Sequence, residues 1–449
     1  MTAPARTAAY HAVRAITASR SDLPTALHAS REHLADERDR SLAAEIVTGT
    51  LRWQRSLDHL IEHFAKRRIG RLDPEVVTIL RLSLYQILHL DRVPASAVVD
   101  DAVDLTRAAR KPSASGFVNA VLRATLRQKH RLPLPPRPAT VENRDAALAY
   151  LGVTHSHPDW LVARWLDRYG FEATERWVRF NNETPLLTVR VNRLRATREQ
   201  ASAALAADDV ETEPTRFAPD GLVVTGGNPL HRPADGLVFV QDEASQLVPA
   251  VAAASPNEAV LDLCASPGGK TIAMAADMND TGTIIASDVR PRRLALLRDT
   301  VRISGAQCVE VVQVPTDGPL PFDARFDVVL VDAPCSGLGT VRRDPDIRWR
   351  RREQDLPVLA RDQVALLMRA ADVVRPGGRL VYATCSSEPE ENEGVVAAFV
   401  AERADFRQVD LGKAARPLIA RFIDGHGFFR TTPPEHGLEA FFAALLTRA

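Results

Sequence analysis

Apolar residues return at helical spacing through the first part of the chain, in Ala8–Ala18, Leu42–Arg52, Leu57–Phe64 and Val76–Leu88, and again over residues 96–110 and 117–128. Each stretch sets an apolar stripe against a charged face, so residues 1–131 are expected to form an all-α domain. Asp73-Pro74 offers one of these helices a cap and a first-turn proline, and Ser115-Gly116 separates two others. Four prolines in the seven residues Leu132–Pro138 suit neither a helix interior nor a central strand, and residues 132–149 read as a stiff linker.

The pattern is mixed from residue 150 to 244. Pro158–Tyr169 and Phe171–Asn181 read as helices, Leu186–Asn192, Leu222–Thr225 and Leu237–Gln241 as strands, and Thr197–Ala206 as a further helix: a small α+β unit. From residue 245 to 449 strands and helices alternate. Strands are expected at Ala259–Leu263, Gly282–Ser287, Cys308–Val314, Phe326–Val331 and Arg379–Thr384, with helices at Thr271–Met278, Arg292–Ser304, Asp355–Val374 and Pro389–Ala404. Such alternation predicts a parallel, doubly wound α/β sheet of Rossmann-like type. Phe428-Phe429 and Phe441-Phe442 predict antiparallel strands added at its edge.

A length of 449 residues agrees with several cores. No apolar run approaches the ~18 residues of a membrane span, and Arg6 and Arg14 are not followed by the apolar stretch of a secretory signal. The four cysteines, Cys264, Cys308, Cys335 and Cys385, lack zinc-ligand spacing, so no metal centre and a reduced, cytoplasmic setting are expected. His155-Ser-His157 reads as loop for the same reason: no further ligands accompany it. Net charge is zero overall, yet residues 1–137 hold 22 Lys+Arg against 14 Asp+Glu. A basic module joined to an acidic remainder fits polyanion binding, although a solvated arginine-rich face reads the same way.

Open α/β sheets bind ligands beyond the carboxyl ends of their strands, and here those ends carry acids and thiols. The first strand runs into Cys264-Ala265-Ser266-Pro267-Gly268-Gly269-Lys270, which is neither a dinucleotide fingerprint nor a P-loop. Asp288 closes the second strand about 20 residues on, the spacing of a ribose-binding carboxylate, and Asp317 after the third would face an adenine edge; each also reads as a turn cap. Acids at consecutive strand ends suit a neutral or cationic nucleoside such as S-adenosylmethionine. Cys264 and Cys308 read as packed, inert thiols. The next two strands end in Asp332-Ala-Pro-Cys335 and Thr384-Cys385-Ser386. Ser387, Pro389 and Glu390 predict a helix starting just after Cys385, whose N-terminus would favour a thiolate. Two thiols beside a methyl-donor pocket suit methylation at C5 of a pyrimidine: one thiolate adds to C6, Asp332 supports N3, and a second thiol serves the later steps. The pair also reads as a buried structural one. Six arginines in Arg342–Arg352, with Trp349, suit phosphate contacts and base stacking.

The stretches Cys264–Thr271, Asp332–Gly337, Arg343–Trp349 and Ala383–Ser386 resemble the motifs of the RNA 5-methylcytosine methyltransferases (the Nol1/Nop2/Sun family). Tyr85–Pro94 and Phe117–Arg123 resemble the NusB-like RNA-binding domain, and together the two resemblances span nearly the whole chain. They imply S-adenosylmethionine-dependent methylation of a 16S rRNA cytosine, with Cys385 as nucleophile and Cys335 assisting product release. They also imply Cys264, Ala265, Ser266, Pro267, Gly268, Gly269 and Lys270 as the cofactor loop, Asp288 on the ribose, Asp317 near the adenine and Asp332 near the methyl-donor end. Ser266 stands where alanine is usual, and Gln313–Asp317 lacks the glycine that usually precedes its acid. The expected partner is RNA, with no DNA or membrane, for a monomeric enzyme. Methylation of tRNA, or a non-catalytic NusB-like RNA-binding or antitermination role, are the alternatives.

Overall fold

The computed structural model describes residues 2–140, 143–229, 236–414 and 416–449, so parts of the expected linker and of the expected middle region lie outside the described residues. The chain divides into two units, Met1–Thr184 with Val341–Glu353, and Pro185–Thr340 with Gln354–Ala449.

In the first unit, helices run at Pro4–Thr17, Leu23–Glu32, Glu37–Arg52, Gln54–Ala65, Pro74–His89, Ala95–Ala108 and Ser115–Arg127. Their apolar stripes meet in one core around Ile46, Leu60, Ile79, Leu80, Leu84 and Leu122. Pro74–His89 is buried on nearly every side, which is why its sequence is apolar beyond a single stripe. Asp73 does not cap it with its side chain; that carboxylate pairs with Lys111 at 3.0 Å. Leu23–Glu32, not anticipated from periodicity, contributes few core residues and starts from an Asp22 cap that accepts from the Thr25 N–H at 3.0 Å. Arg144–Ala149 and Asp159–Phe180 belong to this unit as well. Gly170, at φ +73°, breaks the second of these, so that the two expected helices are both present and meet at a kink. Trp165 and Trp177, on either side of the break, stack at 4.9 Å between ring centroids. Residues 150–181 thus pack with the N-terminal helices, and the strand-bearing part of the middle region begins only at Thr188.

The second unit holds two sheets. The first comprises β1 (Thr188–Val191), β2 (Glu211–Pro214), β3 (Gly221–Gly226) and β4 (Val238–Val240), antiparallel in the order β2-β3-β1-β4. Arg198–Ala207, opened by a Thr197/Gln200 capping box, packs on it through Leu205 against Val189, Val191 and Leu222. β2 is an edge strand with mostly exposed side chains, so no apolar alternation marks it in the sequence.

The second sheet has β5 (Ala259–Asp262), β6 (Thr283–Asp288), β7 (Val309–Gln313), β8 (Phe326–Asp332) and β9 (Val374–Thr384) in parallel, then β10 (Phe406–Val409), β11 (Phe429–Thr431) and β12 (Phe441–Arg448). Their order is β10-β12-β9-β8-β5-β6-β7, with β11 paired to β12. Along β8 and β9, Val328, Leu330, Val381 and Ala383 enter one core while Val329, Val331, Leu380 and Tyr382 enter another. Both faces are therefore covered, as continuous apolar strands require. The expectation that the aromatic-rich end only extends the edge is corrected for β12: it lies antiparallel between β9 and β10, with Phe442, Ala443, Ala444 and Leu446 fully buried. Strand order runs away from β5 in both directions, which puts the switch point of the sheet between β5 and β8.

Candidate active site

The carboxyl ends of β5, β6, β8 and β9 surround a cavity of about 440 Å³, lined among others by Cys264, Ser266, Lys270, Asp288, Asp332, Cys335, Cys385 and Phe441. Register makes this possible. Asp332 lies opposite Ala383, and Asp262 opposite Leu330, so the turns that follow β5, β8 and β9 emerge side by side.

Within the loop after β5, Cys264, Ser266 and Lys270 face the cavity, while Ala265, Pro267, Gly268 and Gly269 shape the turn. Ala265 N–H donates to Ser287 O at 2.9 Å and Gly268 N–H to Ala265 O at 2.7 Å. Gly268 sits at φ +108°, where a Cβ would lie 3.0 Å from Leu297 Cδ1, so glycine is required there. Ser266 Oγ donates to Arg293 O at 3.0 Å. Arg190 of β1, which no motif marks, is buried and donates to the Gly269 carbonyl and, at 2.7 Å, to Gln241 Oε1. Burial pulls its pKa down to about 10. Among the cysteines, burial and then the carboxylates of Asp262, Asp332 and Asp288 push the Cys264 thiol up. Burial, with Asp280, raises Cys308 to about 12.

The acids divide sharply. Asp288 is buried; Oδ1 accepts from Arg290 N–H at 3.0 Å, but among the described residues Oδ2 has no hydrogen-bond donor, with Arg293 Nη1 3.6 Å away. A buried oxygen left unmet costs about 1–3 kcal/mol, and a ribose hydroxyl would supply the missing donor. Asp317 is exposed and not part of the cavity wall; its loop is held by Arg369, which donates to Pro315 O, Thr316 O and Gly318 O at 2.7, 2.8 and 2.6 Å. Asp262 was not anticipated. It is fully buried, accepts from Thr271 Oγ1 at 2.7 Å, and burial pushes its pKa up to about 7. Asp332 accepts from Lys270 Nζ at 2.7 Å. Burial works against the Lys270 ammonium, but Asp332 outweighs it and the pKa is raised, so Lys270 stays charged.

Cys335 Sγ and Cys385 Sγ are 3.3 Å apart. Their contact, then burial, then the charge of Glu391, drive the Cys335 thiol well above its ordinary pKa. The helix expected directly after Cys385 is displaced: a 3-10 turn occupies Pro389–Glu391 and the α-helix runs Glu393–Glu402. Ser387 Oγ donates to Glu388 Oε1 instead of capping. Helix-dipole activation of Cys385 therefore lacks its geometry. Glu391 and Asn392 are instead buried, turned toward the two cysteine-bearing turns.

Within the arginine-rich stretch, Arg348 meets a different fate from the one expected. Val341–Glu353 belongs to the helical unit. Arg348 is fully buried there, with Nη1 donating to Ser156 O and Asn182 Oδ1 at 3.0 Å each and Nη2 to Asn181 O at 3.1 Å. Trp349 Nε1 donates to Leu51 O at 2.6 Å, and the Arg342 guanidinium lies 3.9 Å from the Phe180 ring centroid. Arg348 is thereby withdrawn into packing, whereas Arg342 and Trp349 stay half-buried. His157 joins the same cluster, its Nε2 3.2 Å from Asn181 Nδ2. Burial, then Arg348, holds its pKa well below the usual histidine value. His155 is lowered to about 4, chiefly by burial.

Comparison with known proteins places this geometry. Residues 249–447 match the 16S rRNA methyltransferase RsmB/F family, residues 3–127 the NusB family, and residues 157–231 the ferredoxin-like domain of RsmF/B-like methyltransferases. The probable ribosomal RNA small subunit methyltransferase B of Bacillus subtilis is 33% identical over 90% of each chain. The ribosomal RNA small subunit methyltransferase B of Pseudomonas putida is 33% identical over 94% of this chain and 97% of its own. Among solved structures, PH0851 is 28% identical with a TM-score of 0.80, covering 99% of both chains. A methyltransferase homolog protein from Pyrococcus horikoshii is 26% identical with a TM-score of 0.56, covering 68% of this chain and 99% of its own. The chain belongs to the ribosomal RNA small subunit methyltransferase B family, S-adenosylmethionine-dependent methyltransferases of rRNA.

Proposed function

We propose that this enzyme methylates C5 of a cytosine in 16S rRNA through a covalent bond between Cys385 and C6 of the base. The observation that carries the reading is the 3.3 Å separation of the Cys335 and Cys385 sulfurs on the wall of a cavity shared with Lys270, Asp288 and Asp332. S-adenosylmethionine, when bound, supplies an electrophilic methyl on a sulfonium. Asp288 is the residue for its ribose, its unmet Oδ2 being an acceptor in want of a hydroxyl. Cys264 and Ser266 form the wall beside it. For Asp317 the support is sequence position alone, since its side chain is exposed outside the cavity.

C5 of cytosine is a poor nucleophile. The Cys385 thiolate adds to C6, and the electrons gained at C5 are stabilised through N3, where Asp332 with its Lys270 partner is the candidate hydrogen-bonding group. C5 takes the methyl and then holds both methyl and proton. While Cys385 is a thiolate, its contact keeps Cys335 protonated. Once Cys385 is a thioether that contact is gone, while burial and Glu391 still hold the thiol pKa up; Cys335 gives its proton to solvent and then removes the proton from C5. The C5–C6 double bond re-forms, and Cys385 departs as a thiolate beside a protonated Cys335.

The test is methyl transfer from labelled S-adenosylmethionine to deproteinised 16S rRNA, with the product base identified. Wild-type enzyme is expected to yield 5-methylcytosine. The Cys385→Ala variant should yield neither product nor adduct, whereas Cys335→Ala should accumulate a protein–RNA adduct that survives denaturing gels. A Cys335→Ala enzyme that turns over normally would sink the two-thiol scheme.

A further inference from the structure

Each reactive cysteine is flanked by residues held by one buried polar network. Glu391 Oε1 accepts from Ser336 N–H at 2.7 Å and from Gln363 Nε2 at 3.0 Å, and Oε2 accepts from Ser386 Oγ at 2.6 Å. Gln363 Nε2 also donates to Pro334 O at 3.0 Å. Tyr382 Oη donates to Glu391 O at 2.5 Å and lies 3.1 Å from Gln363 Oε1. Asn392 accepts from Thr384 Oγ1 at 2.5 Å and donates to Ser386 O at 3.0 Å. Pro334 and Ser336 bracket Cys335; Thr384 and Ser386 bracket Cys385. All four neighbours are thereby tied down, and Glu391 bonds to both turns and to the helix Leu356–Ala371, beside the direct contact of Ser336 Oγ with Ser386 Oγ at 3.2 Å.

This arrangement is expensive for packing alone. Glu391 is fully buried, and no cation among the described residues lies within ion-pair distance of it. Desolvating an unpaired carboxylate costs several kcal/mol, and apolar side chains of similar volume would join the same elements more cheaply. What a carboxylate adds is several acceptor sites in one plane, which fix three donors from three elements at set angles. Two sulfurs that must act in turn on adjacent atoms of one base need that precision, because a displacement of ~1 Å costs on the order of 100-fold in rate.

We propose, resting on the covalent reading above, that Glu391 is a positioning residue: its carboxylate fixes the two thiol-bearing turns against each other so that Cys335 can complete release from Cys385. Release is the step most exposed to its loss, since attack needs only Cys385 whereas release needs both sulfurs in register.

The test uses the full chain with Glu391→Gln, nearly the same shape without the charge. Turnover at saturating RNA and cofactor is expected to fall by about tenfold or more, with the KM for RNA little changed. A denaturant-resistant protein–RNA adduct should accumulate as with Cys335→Ala. A merely structural role would lower melting temperature and adduct yield together. Wild-type turnover, or lost turnover without adduct, overturns the proposal. Where Glu391→Gln does not fold, Ser386→Ala, which removes the bond to Oε2 together with the contacts of Ser386 Oγ to Ser336 Oγ and to the Glu388 N–H, decides the matter by the same adduct criterion. An adduct with Cys335→Ala but none with the Glu391 or Ser386 variants defeats the positioning role alone; no adduct with any variant defeats the covalent reading and this inference together.

Discussion

The helical unit and the parallel sheet each bury a cluster of charged and polar side chains, and the two clusters teach opposite lessons about what buried polarity means. Around Arg348 the guanidinium is taken up by the carbonyls of Ser156 and Asn181 and by Asn182. At the ends of β5, β6, β8 and β9 the polar groups front a cavity of about 440 Å³. Both clusters leave an atom unmet, Arg348 Nε in one and Asp288 Oδ2 in the other, but only the second atom belongs to a cavity wall. Charge and composition do not separate the two cases. What separates them is whether the unmet atom faces protein or space that a ligand can fill.

The contrast can be broken most forcefully at the thiols. Cys385→Ala is expected to reduce methyl transfer by on the order of 10³-fold or more while leaving the melting temperature nearly unchanged, because one half-buried sulfur contributes little packing. A comparable loss of stability would place Cys385 with the structural cluster. Arg348→Met should do the reverse. It leaves carbonyls of Ser156 and Asn181 without donors, a loss of about 2–4 kcal/mol in a urea titration. The salt dependence of RNA binding should keep its slope, whereas removal of a phosphate contact would lower that slope by about one. Lys270→Met is smaller and tests the pair between cavity and core. Asp332 loses its partner but keeps partial exposure, so the expected cost is about 1–3 kcal/mol, accompanied by weaker methyl transfer.

The parts legible in the sequence were those where one strand or helix carries its own signal. Phe326–Val331 is an apolar run ended by Asp332, and such a run has few ways to lie except as a central strand with its terminal acid at the sheet's end. The adjacency of Cys335 and Cys385 follows once β8 and β9 pair. The parts not legible depend on partners distant in sequence. Nothing local says that Arg348 will be enclosed by Ser156, Asn181 and Asn182, so in the sequence it reads like the five other arginines of the stretch, as an RNA contact. The interior position of β12 is a matter of strand order, and a fully buried strand reads the same wherever it pairs. Within Glu388–Glu393, spacing favoured Glu390 as a helix cap, yet Glu391 is the residue turned inward, because the chain breaks at Asn392 (φ −111°, ψ −105°) before the helix begins. Asp262 reads as an ordinary strand-terminal acid; only the packing around it reveals its burial.

That burial gives the comparison its finest test. Asp262 immediately precedes the cavity-lining Leu263 and Cys264, and burial raises its pKa from 3.8 to about 7. The folded protein therefore binds this proton more tightly than the unfolded chain does. Stability should fall as pH rises from the ordinary carboxylate range toward 7 and level off above it, with a slope of at most ~1.4 kcal/mol per pH unit from this group. Asp262→Asn keeps an acceptor for Thr271 and removes the titration. Urea midpoints measured from pH 4.5 to 8 should show a shallower decline for the variant than for the wild type, the two curves diverging as pH rises. Curves of equal slope would mean that the carboxylate is ionised in the fold at no cost, and Asp262 would then belong with the well-partnered groups of the helical unit.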